Sequence, residues 1–149
     1  MNLFFDTSAL VKFFHEEQGS EIVTDLIIDL ENTVHVSDLA RLEFISFLYR
    51  RYRNKELDEK ALDEAISGFY EEYFRFNVEP LGHAVLQQAE ELLIIYGKTY
   101  GLRTLDALHL ATFFLIKEDN WIFVANNDNL ISVTKAIGAS AFNPLTNTL

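Results

Sequence analysis

Short apolar runs alternate along the chain with longer stretches in which apolar residues recur every three or four positions. The runs are "NLFF" at 2–5, "TVHV" at 33–36, "NVEPL" at 77–81, "WIFVA" at 121–125 and "ASAF" at 139–142. Their length and their β-branched and aromatic content predict strands. Pro80 marks "NVEPL" as an edge strand or a strand end. The longer stretches predict helices: "TSALVKFFHEE", "SEIVTDLIIDLEN" after the break at Gly19, "DLARLEFISFLYRRYRN", "EKALDEAISGFYEEYFRF", "HAVLQQAEELLIIYGKTYG", "LDALHLATFFLIKED" and "NLISVTKAIG". Ser37, Asp58 and Thr104 stand where N-caps are expected, and Gly97 or Gly101, and Gly138, where helices stop. The strands do not alternate apolar with polar residues. Strands of that kind, separated by helices, predict an α/β fold of three layers, α/β/α, with a central, mainly parallel sheet covered on both faces.

In such a sheet, ligands bind beyond the carboxyl ends of the strands. Asp6 follows the first strand and Asp128 follows "WIFVA", so both are expected on that edge. Each has an ordinary reading as a helix cap. Glu43 lies among Leu39, Leu42, Phe44, Phe47 and Leu48, at the margin of an apolar helix face. An unpaired carboxylate is costly to bury, so it either reaches water at the rim or has a partner. Asp106 sits in the first turn of the most apolar helix, where the helix dipole alone could account for it. Converging carboxylates repel, and without a cation one or more must hold a proton. A hard divalent cation, Mg²⁺ or Mn²⁺, resolves that conflict, because such ions take oxygen ligands and often bind substrate phosphates as well.

Composition narrows the setting. The chain has 149 residues and is expected to form one domain, 1–149. It has no cysteine, which removes disulfide frameworks and thiolate metal sites and fits a reducing cytoplasm. No stretch reads as a signal peptide or a membrane span. The formal net charge of -11 argues against a basic nucleic-acid coat and allows a basic protein partner. A local basic patch can still act alone, since charges are screened beyond about 8 Å. Arg41, Arg50, Arg51 and Arg53 concentrate on one helix, and Arg50 lies seven residues after Glu43, on nearly the same face and roughly 10 Å further along. That phase suits a phosphate contact, against the plainer reading of a solvated face. His109, three residues after Asp106, reads first as a core histidine, since oxygen-rich Mg²⁺ sites rarely need imidazole. His15 is out of phase with Asp6 along its helix. The aromatic run "FYEEYFRF" reads as core or as a subunit interface.

Four strings then make a joint pattern: "FFDTSALVKFF", "HVSDLARLEFISFLYR", "LRTLDALHLATFF" and "IFVANNDNL". In this order they resemble the PIN-domain ribonucleases, and most of all the VapC-type toxins of toxin–antitoxin modules. The resemblance spans nearly the whole chain. It implies a PIN-like fold and metal-dependent hydrolysis of RNA phosphodiester bonds by a metal-activated water. It also implies a site of Asp6, Glu43, Asp106 and Asp128 as catalytic metal ligands. Ser37 and Arg103 fall on motif positions, and Thr7 and Ser8 either hydrogen-bond a carboxylate, water or phosphate or act as caps. The family usually has Thr or Ser two residues before the fourth acid, where this chain has Asn126, whose amide can also bond a ligand or phosphate. Expected partners are an RNA substrate, a small antitoxin protein and a second copy in a homodimer, with no membrane. Two rival readings stay open: a PIN nuclease of RNA maturation, and a catalytically idle PIN scaffold that binds protein or RNA.

Overall fold

The structure, a computed structural model, describes residues 1–146. Five strands, β1 (Asn2–Phe5), β2 (Thr33–Ser37), β3 (Asn77–Glu79), β4 (Ile122–Val124) and β5 (Ser140–Phe142), form one sheet in the order β3-β2-β1-β4-β5. Every pairing is parallel, with Leu3 opposite Val34 on one side and Ile122 on the other. Seven helices complete the described chain: α1 (Thr7–Phe14), α2 (Ser20–Ile28), α3 (Leu39–Arg53), α4 (Glu59–Tyr73), α5 (His83–Tyr100), α6 (Thr104–Ile116) and α7 (Asp128–Ala136).

The central strand shows why its sequence is apolar at successive positions. Leu3 and Phe5 point into a core shared with α1, α2, α3 and α4, while Phe4 between them points into a second core shared with α5, α6 and α7. Both faces are therefore covered, and a polar residue on either would be stranded away from water. The first core is built around aromatic rings: Phe69 stacks on Phe44 at 4.4 Å and packs against Phe14 and Tyr73. The second is led by Phe4, Phe113 and Phe123. The run "FYEEYFRF" divides accordingly, with Phe69 and Tyr73 buried and Phe74 outside the helix and 72% exposed.

Helix ends follow local chemistry, with small corrections to the expected caps. Asp58 caps α4 as expected, accepting from the Ala61 amide at 2.7 Å. Gly101, not Gly97, ends α5, and its φ of 62° is the left-handed conformation that glycine adopts without strain. Ser37 is not the N-cap of α3. Its pairing with Glu79 keeps it in β2, and Asp38 takes the cap position, although the Ser37 hydroxyl still accepts from the Leu39 amide at 3.2 Å. Thr104 is the first residue of α6, and Arg103 occupies its cap position without a side-chain hydrogen bond. At α7 the cap is Asn127, which accepts from the amides of Asn129 and Leu130, so Asp128 is not the cap and lies in the first turn.

Phe69 is fully buried at the centre of the aromatic stack. Phe69→Ala should destabilise the protein by about 3–5 kcal/mol, the usual loss for a core aromatic. Urea unfolding followed by circular dichroism checks this.

Candidate active site

The strand order turns back between β1 and β4, and the carboxyl ends of these two strands are held together by a hydrogen bond from the Asp6 amide to the Val124 carbonyl, 3.0 Å. Asp6 leaves β1 directly into α1, so its carboxylate is trapped between the sheet end and the first helical turn and is only 3% exposed. It caps α1 by accepting from the Ala9 amide at 3.0 Å. The Ser8 hydroxyl lies 2.8 and 2.9 Å from its two oxygens. Ser8 also accepts from the Asn126 amide at 3.0 Å, which ties the exit of β4 to the start of α1.

Glu43 comes to the same place from α3. Thr7 donates its hydroxyl to Glu43 Oε1 at 2.7 Å, and His109 Nε2 from α6 contacts the same oxygen. His109 Nε2 also lies 3.1 Å from the Thr7 oxygen. The Thr7 proton is already committed to Glu43, so both neighbours of Nε2 are acceptors and Nε2 carries the proton. The other ring nitrogen, Nδ1, is buried without a partner. His109 is buried, at 2% exposure, as its position predicts, and it is also a direct partner of Glu43, a contact that the sequence reading did not include. Its periodicity signals only the core. The one cue to its second role is its spacing of three from Asp106, which puts both on neighbouring parts of one helix surface.

Electrostatics binds these groups into one unit. Burial pushes the Asp6 carboxyl up to about 6, against the opposing pull of His109, Ser8 and the Ala9 amide, and Asp106 adds to the rise. Burial also raises Asp106, opposed by Arg103 and His109 and reinforced by Glu43. For Glu43, burial acts upward too, but the hydrogen bond and charge of His109, with the Thr7 hydroxyl, hold it below the usual carboxylate range. Arg103 is far more exposed, its side chain 79% accessible, with Nε 3.7 Å from Asp106 Oδ2.

A cavity of about 580 Å³ opens over this cluster, lined by Thr7, Ser8, Glu43, Arg50 and Asn126 among others. Arg50 therefore shares a wall with Glu43, as their helical phase predicts. Asn126 contributes a buried side-chain oxygen with no hydrogen-bond partner. Two sequence candidates stand apart. Asp128 is exposed and its Oδ1 accepts from Asn143 Nδ2 at 2.9 Å, and Ser37 is fully buried at the end of β2. Asn143, itself 3% exposed, carries no sequence motif that would have singled it out.

Among the described residues, no three His, Asp or Glu side chains stand close enough together to hold a metal ion as placed. The donor set nevertheless suits a hard cation. Asp6, Glu43, Asp106 and Asn126 offer oxygen donors, and the Asn126 side-chain oxygen has no hydrogen-bond partner.

The model of the PIN domain matches residues 3–136. The chain belongs to the PIN-domain family. PIN domains form a family of nucleases, and its members generally use divalent metals. Solved structures share the fold. FitAcB from Neisseria gonorrhoeae aligns with a TM-score of 0.74 at 16% identity, over 97% of this chain and 99% of that one. VapBC2 from Rickettsia felis, bound to a DNA fragment from its promoter, aligns with a TM-score of 0.64 at 16% identity, over 96% and 98%. A toxin–antitoxin complex from Klebsiella pneumoniae aligns with a TM-score of 0.57 at 17% identity, over 95% and 97%. No curated protein sequence matches the chain. No helix among the described residues is long and apolar enough to cross a membrane.

The raised Asp6 carboxyl has a measurable consequence in EDTA. A carboxyl whose folded value exceeds its unfolded value gains a proton on folding, so the stability it contributes is present at low pH and lost as pH rises. For Asp6 the window runs from 3.8 to about 6. Asparagine keeps the cap and removes the charge. In EDTA, Asp6→Asn should therefore be more stable than the wild type at pH 7.5 by about 3 kcal/mol. The gap should close toward pH 4, as read by thermal melts across the range.

Proposed function

We propose that this chain is a single PIN domain acting as a metal-dependent endoribonuclease, the toxin of a VapBC-like module, with Mg²⁺ or Mn²⁺ as its cofactor. What supports this reading is that Thr7, next to Asp6, and His109, one helical turn from Asp106, both bond Glu43, which brings acids from three separate elements toward the edge where strand order reverses. Asp6, Glu43 and Asp106 would hold the ion, with Asp128 as an outer ligand. A bound divalent ion of this kind activates water for attack and offsets charge on the phosphoryl oxygens.

The chain's own groups do the rest. Ser8 and the Ala9 amide fix the Asp6 carboxylate, while Thr7 and His109 hold one oxygen of Glu43 and leave the other for the ion. Arg50 and Arg103 are the substrate contacts, placed to bind phosphates on either side of the acids. Asn126, in place of the usual Thr or Ser, would offer its unpaired amide oxygen to a bound water or the ion. The VapBC and FitAcB structures support the pairing with a small antitoxin protein. A homodimer and a cytoplasmic location belong to the same reading. A PIN nuclease of RNA maturation has the same site, and growth arrest on induction, reversed by a co-expressed neighbouring gene, separates the toxin from it.

Cleavage-site mapping on total RNA tests the activity, with defined cuts expected in Mg²⁺ and none in EDTA. Calorimetry with Mn²⁺ should give a binding heat for the wild type that is lost in the Asp6→Asn, Asp106→Asn double variant, and equal binding by the two would sink the metal site.

Asp128 receives its own test. Asp128→Asn retains a polar side chain able to bond Asn143 and removes only the charge. It should slow cleavage roughly a hundredfold, equivalent to about 2.7 kcal/mol of transition-state stabilisation, and less than Asp6→Asn. Wild-type cleavage in both limiting and saturating Mg²⁺ would remove Asp128 from the site.

A further inference from the structure

The cavity over the acidic cluster does not end there. On one side it shares Glu43 and Leu105 with a hollow of about 400 Å³ that reaches Arg103 and Asp106. On the other it shares Glu17, Phe47 and Arg50 with a hollow of about 430 Å³ that continues to His15, Arg51 and Asn54. The three form one furrow, with Glu43 where two of the hollows meet and arginines toward both ends.

The second hollow has features of a built anion site. The Arg50 and Arg51 guanidiniums lie 5.8 and 5.7 Å from the centre of the Phe47 ring, within cation–π range, and the His15 ring stands edge-on to the same ring at 5.8 Å. Phe47 thus holds two flexible cationic side chains in place, which reduces the entropy lost when they bind a ligand. Two carboxylates also border the hollow, and both are already engaged. Glu17 pairs with the buried Lys12 at 2.7 Å, and Glu56 pairs with Arg51 Nε at 3.3 Å. The lining charges cancel, but Lys12 already neutralises Glu17 and Arg51 already neutralises Glu56, so Arg50 is left without an ion pair among the described residues. Asn54 adds an amide at the end of α3.

We propose that His15, Arg50, Arg51 and Asn54 form a phosphate subsite for single-stranded RNA, held by Phe47 and set beside the cleavage centre. The inference rests on the nuclease reading and extends it. A strand entering past Arg103 crosses the carboxylates and leaves along the carboxyl-terminal half of α3, so the enzyme grips its substrate on both sides of the cut. An RNA strand fits this better than an acidic protein segment, because the furrow runs on from the proposed cleavage centre, so a backbone held by the arginines also passes the acids that would act on it.

The test uses the full chain carrying Asp6→Asn, in EDTA, so that the probe is not cut. The probe is a fluorescein-labelled single-stranded RNA of twelve nucleotides, followed by anisotropy across a KCl series. Each lost phosphate contact on a single strand removes about 0.7 from the slope of log K against log salt. Adding Arg50→Ala and Arg51→Ala should lower the slope by more than one unit. Arg50→Lys with Arg51→Lys should keep most of it, since lysine retains the charge, and Arg53→Ala should leave it unchanged. An undiminished slope in the alanine variant overturns the subsite. Tighter binding of a labelled twelve-residue polyglutamate than of the RNA at equal salt also overturns it, and assigns the surface to a protein partner. Failure of the nuclease reading looks different: the wild type in Mg²⁺ leaves total RNA intact, whatever the salt slope.

Discussion

Burying the Asp6 carboxylate is the constraint around which this site is arranged. The parallel pairing of β1 between β2 and β4 places that group where strand order reverses, out of reach of bulk water. A charge so placed must be compensated. The chain supplies a helix amine terminus, the Ser8 hydroxyl and the field of His109, and these offset only part of the cost, leaving the carboxyl raised. Ser8 then reaches Asn126, so the residues that stabilise Asp6 also fix the separation of β1 and β4. Structural support and chemical preparation are carried by the same hydrogen bonds.

His109 joins the two halves of the molecule. It belongs to α6, in the layer built on Phe4, Phe113 and Phe123, yet its imidazole reaches Thr7 and Glu43 from the opposite layer. One nitrogen is fully used and the other is buried with no partner, which is an expensive way to fill a core. That cost makes sense when the imidazole orients a carboxylate. The Glu43 oxygen it engages is held from two sides, by Thr7 and by His109, while Glu43 still lines the cavity.

The sheet, its three layers and the place of Asp6 at the carboxyl end of β1 were legible from the apolar runs, because a strand covered on both faces leaves no position for a polar residue. Glu43 was legible because a carboxylate at the margin of an apolar face demands an explanation. Caps were less legible. Ser37, Thr104 and Asp128 each miss by about one position, since strand pairing and loop geometry decide the first helical residue and leave little trace in local sequence. His109 was under-read for a different reason: helical periodicity reports burial, and it cannot report that a buried side chain meets a partner 66 residues away. Asn143 lies further still beyond local pattern, its role set entirely by where β5 ends.

The hydrogen bonds that join separate elements at the site span 36, 66, 102 and 118 residues of chain. Contacts of such long range form late, because the loops they close must first lose their freedom. No sequential fragment ending before β4 contains the junction of Ser8 with Asn126, and none lacking α6 contains the grip on Glu43. A nascent or partly unfolded chain therefore has helices and apolar clusters but no assembled centre. Assembly of the centre reports completion of the fold, and local unfolding anywhere along the β1–β4 seam dismantles it. The long-range wiring confines chemistry to the finished molecule.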